Sequence, residues 1–579
     1  MAIHIPQKID HSPGSSHTGI RYHVMGFQGT SSRRLDKTLT QMFISYWNEI
    51  LLIDGEALIL KRIPIILVPV RHDEYIIIES ESELDESTQK VVVDLQLEKI
   101  TISSAWFGEF NLFYHISDEN FVISSSFGEV LEFLRSKNVS TELDKIAVYE
   151  SLIFDCPIRD RTFCKQIKKT IPGEKIEFEL RPVRVKSRST YIAQYYNGKE
   201  NQSHDHLLNK ATDILSNLIS IKDRQKLNEK RVLLPLSGGN DSRLLACLLK
   251  KQGVHFDSVT FGPWESSDPF MAKRVASKIG MVITHLNLED SYYKLYGDEV
   301  TVQSNGFSGH AHCHLYSVLA HHQIYNDFMI HSYSAEIARA TITDWPDGAN
   351  ISRDQAMSRY LNEHVRNNRS WTLLNWSEQS VIIDDLSKVM VDCCTINSPQ
   401  YFNDYLNKVD ITSTLISSIF NVCESFGTLI RPYACVEYQS FFSSLPTQYR
   451  KKRRLFREAC RMLFPREFSL GTAEEVFDRS LFLKGMEALL CTVMNIFCYG
   501  AFLVSGGRLW IPNPKTFERH RKILSGVLKY DLLNAIEHLR SRLDIDLSKC
   551  SKSSYDNRKQ ISSQYRVISS SAFLRYHNL

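Results

Sequence analysis

The sequence contains no C-x-x-C pair, no H-E-x-x-H and no G-x-x-x-x-G-K-S/T. Their absence removes the paired-cysteine zinc and redox signatures, the helical zinc-hydrolase site and the lysine-bearing phosphate loop. The twelve cysteines form no regular framework: Cys393 and Cys394 are adjacent, and others such as Cys247, Cys491 and Cys498 lie in apolar surroundings. Such thiols fit a reduced cytoplasmic interior better than a disulfide scaffold or a structural zinc site. Excess charge is missing too, since 69 Lys and Arg against 66 Asp and Glu leave a formal +3. Composition therefore gives no reason to expect a nucleic-acid partner. The start, "MAIHIPQKIDHSPGSSHTG", has no basic segment leading into an apolar core, so no signal peptide is expected. The longest apolar candidate, Ala488 to Ser505, carries Thr492, Asn495 and Gly500 and reads as a buried core helix rather than a membrane span.

What is present is a soluble globular composition, 43% apolar and 23% charged, on 579 residues, enough for two or three domains. Up to about residue 185 the chain is β-rich: "ALILKRIPIILVPV", "YIIIES", "VVVDLQL" and "FNLFYHIS" are short β-branched and aromatic runs between polar turns. A polar, aperiodic linker is expected over 186–203. From 204 to 548 the rhythm becomes α/β and then helical, opening with Leu207, Leu208, Ala211, Ile214 and Leu215 on one helical face. Strands near 232–236, "FDSVTFG" and "VITHLNL" alternate with helices, which predicts a parallel sheet. Residues 549–579 are rich in Ser, Lys and Arg and are expected to pack loosely.

One junction carries chemistry. In "RVLLPLSGGNDSRLLACLLK" an apolar strand breaks into Ser237-Gly238-Gly239-Asn240-Asp241-Ser242 before a helix with Leu244, Leu245, Leu248 and Leu249. Ligands of parallel α/β sheets bind at strand carboxyl ends, where helix N-termini offer unpaired amides and a positive dipole end. Gly238 and Gly239 let the backbone curl close to phosphate oxygens, and Ser237 and Ser242 can donate to them. Asp241 would repel a phosphate unless a divalent cation lay between, which makes it the natural Mg2+ ligand. The bland alternative is an ordinary Gly-Gly-Asn-Asp turn.

The S-G-G-x-D-S pattern resembles the pyrophosphate loop of N-type ATP pyrophosphatases, the PP-loop superfamily. The following "SVTFGPWESSDPFMAKRVASKIG" resembles the second element of asparagine synthetases and their relatives. That likeness implies that Thr260, Phe261 and Gly262 line the nucleotide and that Asp268 caps the next helix. "FGEFNLFYHISDENFVISSS" and "ELDKIAVYESLIFDCPIRDRTFCKQIKKTIPGEKIEFEL" resemble parts of the family's amidotransferase-like first domain. The resemblance covers roughly 100 to 470. It implies an α/β and α+β chain of two domains: a β-rich, Ntn-hydrolase-like domain and an adenine nucleotide α-hydrolase-like PP-loop domain with a helical extension.

The departures set the expectations. A class II glutamine amidotransferase needs an N-terminal cysteine; here the chain reads Met-Ala-Ile-His and its first cysteine is Cys156, so no glutaminase is expected. The family's second acidic loop has its counterpart in "FMIHSYSAEIARA", where serines replace glycines and Glu336 is the expected second Mg2+ ligand, the alternative being a surface glutamate. In "RPYACVEYQSFFSSLPTQYRKKRRLFREA", Glu437 stands for a usual aspartate, Arg453 for a common lysine, and Arg457 matches. Arg453 could neutralise phosphate charge, or the segment could be a basic helix with a solvated face. A catalytic lysine has no clear match.

Histidines 310, 312, 314, 321 and 322 crowd "SGHAHCHLYSVLAHHQ" without a second ligand cluster, and a structural or substrate-facing helix is expected over a metal site. "SGGRLW" repeats two glycines without an aspartate and reads as a loop. Together these features imply an asparagine synthetase-like, AMP-forming ligase using ATP and Mg2+ on a small-molecule or peptide carboxylate, with ammonia or the substrate's own amine as acceptor. Relatives that cyclise their substrate, such as β-lactam synthetases and lasso-peptide cyclases, fit the missing cysteine. Two rivals stay open: a tRNA-modifying or thiolating PP-loop enzyme, and a non-catalytic nucleotide-binding descendant. Neither nucleic acid nor membrane is expected as a partner.

Overall fold

The computed structural model describes the strands between 43 and 94 and most of the chain from 99 to 579. From 99 onward it leaves out 105–110, 118–120, 181–182, 191–201, 263–266, 340–344, 346–348, 367–370, 372–373, 473–503, 505–522 and 544–557. The apolar run 488–505, apart from Val504, and the "SGGRLW" segment therefore lie outside the described residues. No described helix is long and apolar enough to cross a membrane.

The β-branched runs of the first half pair into a seven-stranded sheet. Its order is Val183–Thr190, Glu174–Leu180, Lys99–Ser103, Lys90–Asp94, Tyr75–Glu79, Ala57–Lys61, Glu49–Ile53. All neighbours are antiparallel except Ala57–Lys61 with Tyr75–Glu79. A smaller sheet joins Lys168–Lys169, Phe113–Ile116 and Phe121–Ser124. Helix Phe127–Ser136 buries Phe127, Val130, Leu131 and Leu134, and helix Lys145–Phe154 is capped by the Asp144 carboxylate.

The linker expected from 186 begins instead as sheet. Val183–Thr190 is an edge strand antiparallel to Glu174–Leu180. Its residues 184–189 are all exposed, so the strand shows no apolar alternation to betray it. Charged edges are a common protection against unwanted strand pairing.

The second half holds a five-stranded sheet, parallel throughout, ordered Thr284–Leu286, Asp257–Phe261, Val232–Pro235, Phe328–Ile330, Thr428–Ile430. The chain builds outward on one side of Val232–Pro235, then returns to its other side with Phe328–Ile330. Connections after these two neighbours depart in opposite directions, which opens a crevice at their carboxyl ends, the usual ligand position in such sheets. Helix Asp241–Lys251 buries Leu244, Leu245, Leu248 and Leu249. Each such burial contributes about 1.5–3 kcal/mol relative to exposure, so the helix N-terminus is firmly placed.

The last segment does not pack loosely. Helix Arg558–His577 buries Tyr565, Val567, Ile568, Phe573 and Leu574, and the Phe573 ring lies 5.0 Å from Phe163 and 5.2 Å from Phe127. Its serines disguised it. Ser569, Ser570 and Ser571 are buried, and the hydroxyls of Ser569 and Ser571 are hydrogen-bonded at His310 and His538. The two halves also join through polar contacts, with Arg161 reaching Asp144, Glu150 and Asp385, and Arg159 reaching Asp392.

Candidate nucleotide and cation site

The loop after the central strand is wired through its own hydroxyls. Leu236 donates to Val259 O at 2.8 Å, extending the sheet by one residue before the chain turns. Ser237 N donates to Ser242 Oγ at 3.1 Å, the two hydroxyl oxygens are 3.1 Å apart, and Gly239 N donates to Ser237 Oγ at 3.3 Å. A Cβ on Gly239 would sit 3.3 Å from Ser237 Oγ, so the curl is tight. Arg243, fully buried, braces the loop from behind by donating to Gly238 O at 3.2 Å and to Leu470 O and Gly471 O. Asn240 precedes the helix without a side-chain cap bond, leaving the first-turn amides to other acceptors.

The second acidic loop follows the adjacent strand. After Phe328–Ile330, Ser334 takes a left-handed backbone (φ 69°) and Ala335–Ala338 forms one 3-10 turn carrying Glu336. The expected loss of a glycine is thus visible as a serine in a conformation that favours glycine. Glu336 Oε2 is buried and has no hydrogen-bond partner among the described residues. Burial and the neighbouring Asp241 charge push the Glu336 carboxyl above its ordinary pKa.

Arg453 joins the two loops. Nη1 donates to Asp241 Oδ2 at 2.8 Å, Nη2 donates to Asp241 Oδ1, and Nη2 also lies 3.5 Å from Ala335 O. Burial opposes the guanidinium charge, but Asp241 more than compensates and holds its pKa above the usual value. Arg453 and Lys452 are both left-handed, at φ 57° and 51°, and two such non-glycine residues cost about 1–3 kcal/mol each. Lys451, Lys452 and Arg454 are exposed while Arg450 is buried and Arg453 turns inward, so the basic segment is a solvated face with two arginines withdrawn.

Three further residues tie the loops together, and nothing in the sequence singled them out. Tyr433 OH donates to Asp241 O at 2.9 Å, Tyr438 OH donates to Ala335 O at 2.9 Å, and Gln439 Nε2 donates to Ser334 O at 2.7 Å. A lysine is also present, from an unexpected place. Lys408, on the π-helical turn Leu406–Ile411, lies 3.7 Å from Asp404, whose other oxygen is 3.0 Å from the buried Arg450. Burial brings its pKa down to about 7, with Asp404 and Glu336 pulling the other way.

The remaining sequence expectations fall unevenly. Thr260 is buried and Phe261 half-buried at the carboxyl end of the strand beside the loop. Gly262 follows with a positive φ of 127°, and its amide donates to Leu286 O while its carbonyl meets His285 Nε2 at 2.9 Å. Asp268 lies in the first turn of helix Ser267–Ile279. Glu437 is exposed and outside the cluster. The histidine run disperses: His310 Nε2 is 3.3 Å from Asp298, His312 is pushed down to about 4 by burial and Arg566, and His321 packs on Tyr292. No group of three potential metal ligands occurs among the described residues. The nine described cysteines are free thiols, seven buried and two half-buried.

The acidic pair has donors of the kind a divalent cation takes, with Arg453 now bonded to one of them. Asp241 and Glu336 bring two carboxylates together, one with a buried oxygen lacking a hydrogen bond. No third His, Cys, Asp or Glu joins them among the described residues; two oxygen donors are a set of the kind Mg2+ takes alongside waters and phosphates.

No protein-family model matches the chain. Short similarities exist to a tRNA-specific 2-thiouridylase MnmA 1 of Clostridium botulinum, 35% identical over 78 residues, and to a MnmA 2 of Clostridium tetani, 34% identical over 80. Each covers 11% of this chain and 22% of the relative. This distant likeness is consistent with a PP-loop, ATP-using domain, as is the parallel sheet with its flanking helices, and it does not single out asparagine synthetases.

Proposed function

We propose that the chain is an AMP-forming carbon–nitrogen ligase of the asparagine synthetase-like kind, with ATP as a substrate and a small-molecule or peptide carboxylate as the group adenylylated. The observation that carries this reading is the convergence of Asp241, Glu336 and Arg453 at the crevice beside the Ser237–Ser242 loop, three charged groups from distant segments. In this reading the loop amides and hydroxyls hold phosphate oxygens, and Thr260, Phe261 and Gly262 flank the nucleotide. Mg2+, held by Asp241 and Glu336, would neutralise charge on the departing pyrophosphate. Arg453 adds fixed positive charge on the same side, where a dry, preorganised site makes it most effective, and Lys408, with its pKa brought down to about 7, lies near Glu336. The acceptor nitrogen is ammonia or an amine of the substrate itself. The β-rich half serves as an Ntn-hydrolase-like scaffold without glutaminase activity; its Cys156 thiol is fully buried.

The short thiouridylase similarity favours a second reading, ATP-dependent modification of tRNA. Against it, seven of the nine described thiols are buried, leaving Cys394 and Cys435 half-buried. One experiment separates the readings. AMP and pyrophosphate release from MgATP is measured for the full chain and for Asp241→Ala, with aspartate plus ammonia, candidate peptides, and unmodified tRNA plus a sulfur donor. Release that requires a carboxylate and disappears in the variant supports the ligase. Release that requires tRNA replaces it. Nucleotide binding without release under any condition points to a non-catalytic descendant.

A further inference from the structure

Arg453 poses a problem for cation binding, because its guanidinium takes both carboxylate oxygens of Asp241. Resting on the reading of Asp241 and Glu336 as cation ligands, we propose that Arg453 is a counter-ion latch. It holds the cation's place on Asp241 until nucleotide phosphates draw it away, so that divalent cation and nucleotide bind only together.

The geometry supports this in three ways. First, the guanidinium spans the two acidic loops: one nitrogen serves Asp241 and also approaches Ala335 O, the carbonyl next to Glu336. A cation using Asp241 must approach the same two oxygens that the guanidinium contacts, and two positive charges held that close repel each other. Second, the alternative partner is chemically right. A planar guanidinium fork matches phosphate oxygens as well as it matches a carboxylate, and the phosphate loop lies directly N-terminal to Asp241. Third, the loops are held by residues other than the arginine. Tyr433, Tyr438 and Gln439 fix the backbone at Asp241, Ala335 and Ser334. Arg453 instead stands on the left-handed pair 452–453, between two short helical segments, with its guanidinium 4.2 Å from the Phe456 ring centre. An aromatic face attracts the cation without fixing its direction, so the side chain can swing with the loops at rest.

Linkage makes the consequence measurable, since nucleotide must raise cation affinity by the same factor as cation raises nucleotide affinity. The test titrates Mn2+ against the full chain by electron paramagnetic resonance of the free ion, with and without α,β-methylene-ATP, for wild type, Arg453→Gln, Arg453→Lys and Asp241→Asn. Wild type alone should bind Mn2+ weakly, and the analogue should tighten it about tenfold or more, within the usual range for coupled sites. Arg453→Gln alone should bind Mn2+ about tenfold tighter than wild type alone, with little further gain from the analogue. Asp241→Asn should bind poorly in both states. If Arg453→Gln gains nothing while the nucleotide effect persists in wild type, the latch is wrong and the proposed function stands. If no variant binds Mn2+ with or without analogue, both fall. Should Arg453→Gln fail to fold by circular dichroism, Arg453→Lys decides. An ammonium lacks the guanidinium's rigid planar fork and holds the carboxylate less firmly, so the variant's Mn2+ affinity should exceed wild type, and equality overturns the latch.

Discussion

Two buried guanidinium groups, Arg161 and Arg453, look alike on paper and do different things. Arg161 reaches Asp144 at 2.8 Å, Glu150 at 3.4 Å and Asp385 at the junction of the two halves. Two of its three carboxylates also bond backbone, although Glu150 Oε1, like Glu336 Oε2, has no hydrogen-bond partner among the described residues. Asp144 Oδ1 accepts from Ile146 N and Ala147 N as a helix cap, and Glu150 Oε2 accepts from Ile158 N. Arg453 faces carboxylates on loops after strands: Asp241 opens a helix without serving as its side-chain cap, and Glu336 sits on the turn after Phe328–Ile330. Burial and ion pairing are therefore poor guides to role. What separates the Arg161 strut from the candidate site is place: Asp144 and Glu150 brace helices and a loop between the halves, whereas Asp241 and Glu336 lie on the two loops that follow adjacent parallel strands.

The largest effect should come from the strut. Arg161→Met leaves Asp144, Glu150 and Asp385 without their common partner and is expected to cost about 3–5 kcal/mol of stability, read by urea denaturation. Nucleotide affinity of the remaining folded protein should be unchanged. A loss under about 1 kcal/mol, the range of exposed pairs, would erase the distinction between the two clusters.

Next in size is the site itself. Asp241→Asn keeps the shape and a hydrogen-bond acceptor for Arg453 but removes the charge a cation needs. Divalent-dependent nucleotide affinity should fall about 100-fold, roughly 2.7 kcal/mol, while stability shifts by only about 0.5–1.5 kcal/mol, the scale of one hydrogen bond. Calorimetric titration and thermal unfolding of the same preparation measure both. The reverse pattern, large instability with intact binding, would make Asp241 a strut like its counterparts around Arg161.

The sequence made some of this legible and hid the rest for definable reasons. The strand, loop and helix at 231–251 could be read because local physics dictates them: an apolar run, two glycines, then leucines at helical spacing. The crevice followed from strand alternation. Its cross-bracing could not be read, since the Tyr433–Asp241 bond spans 192 positions and the Tyr438–Ala335 bond 103, and a tyrosine hydroxyl carries no local mark of its partner. Lys408 was invisible because "LNKVDI" resembles any amphipathic turn until folding places it near Glu336. Two misreadings share a cause. Edge strand 183–190 and helix 558–577 are polar by composition, yet one is held by backbone pairing and the other by a few buried apolar side chains and by buried serines bonded to histidines.

The smallest expected effect sharpens the contrast between the halves through pH. In the first half, burial raises the Glu129 carboxyl to about 7, against a lowering by the Ser124 hydroxyl 2.6 Å away. In the second, burial and then Arg431 lower His331 to about 3, with its ring stacked 4.4 Å from Tyr333. For Glu129 the folded pKa exceeds the unfolded value of 4.5, so its contribution is complete below pH 4.5 and is lost as pH rises through 7. For His331 the folded pKa lies below the unfolded 6.5, so its contribution is complete above pH 6.5 and is lost as pH falls toward 3. Between these limits the two oppose, and the wild-type profile should be flatter than either alone. Single variants uncover the slopes. Stability of Glu129→Gln relative to wild type should rise with pH from about 5 to 7, and that of His331→Gln should fall from about 4.5 to 6.5. Each slope is bounded at about 1.4 kcal/mol per pH unit, the value for one proton. Urea midpoints across that range measure both. Slopes of the same sign would mean that the halves do not store their buried titratable groups in opposite protonation states.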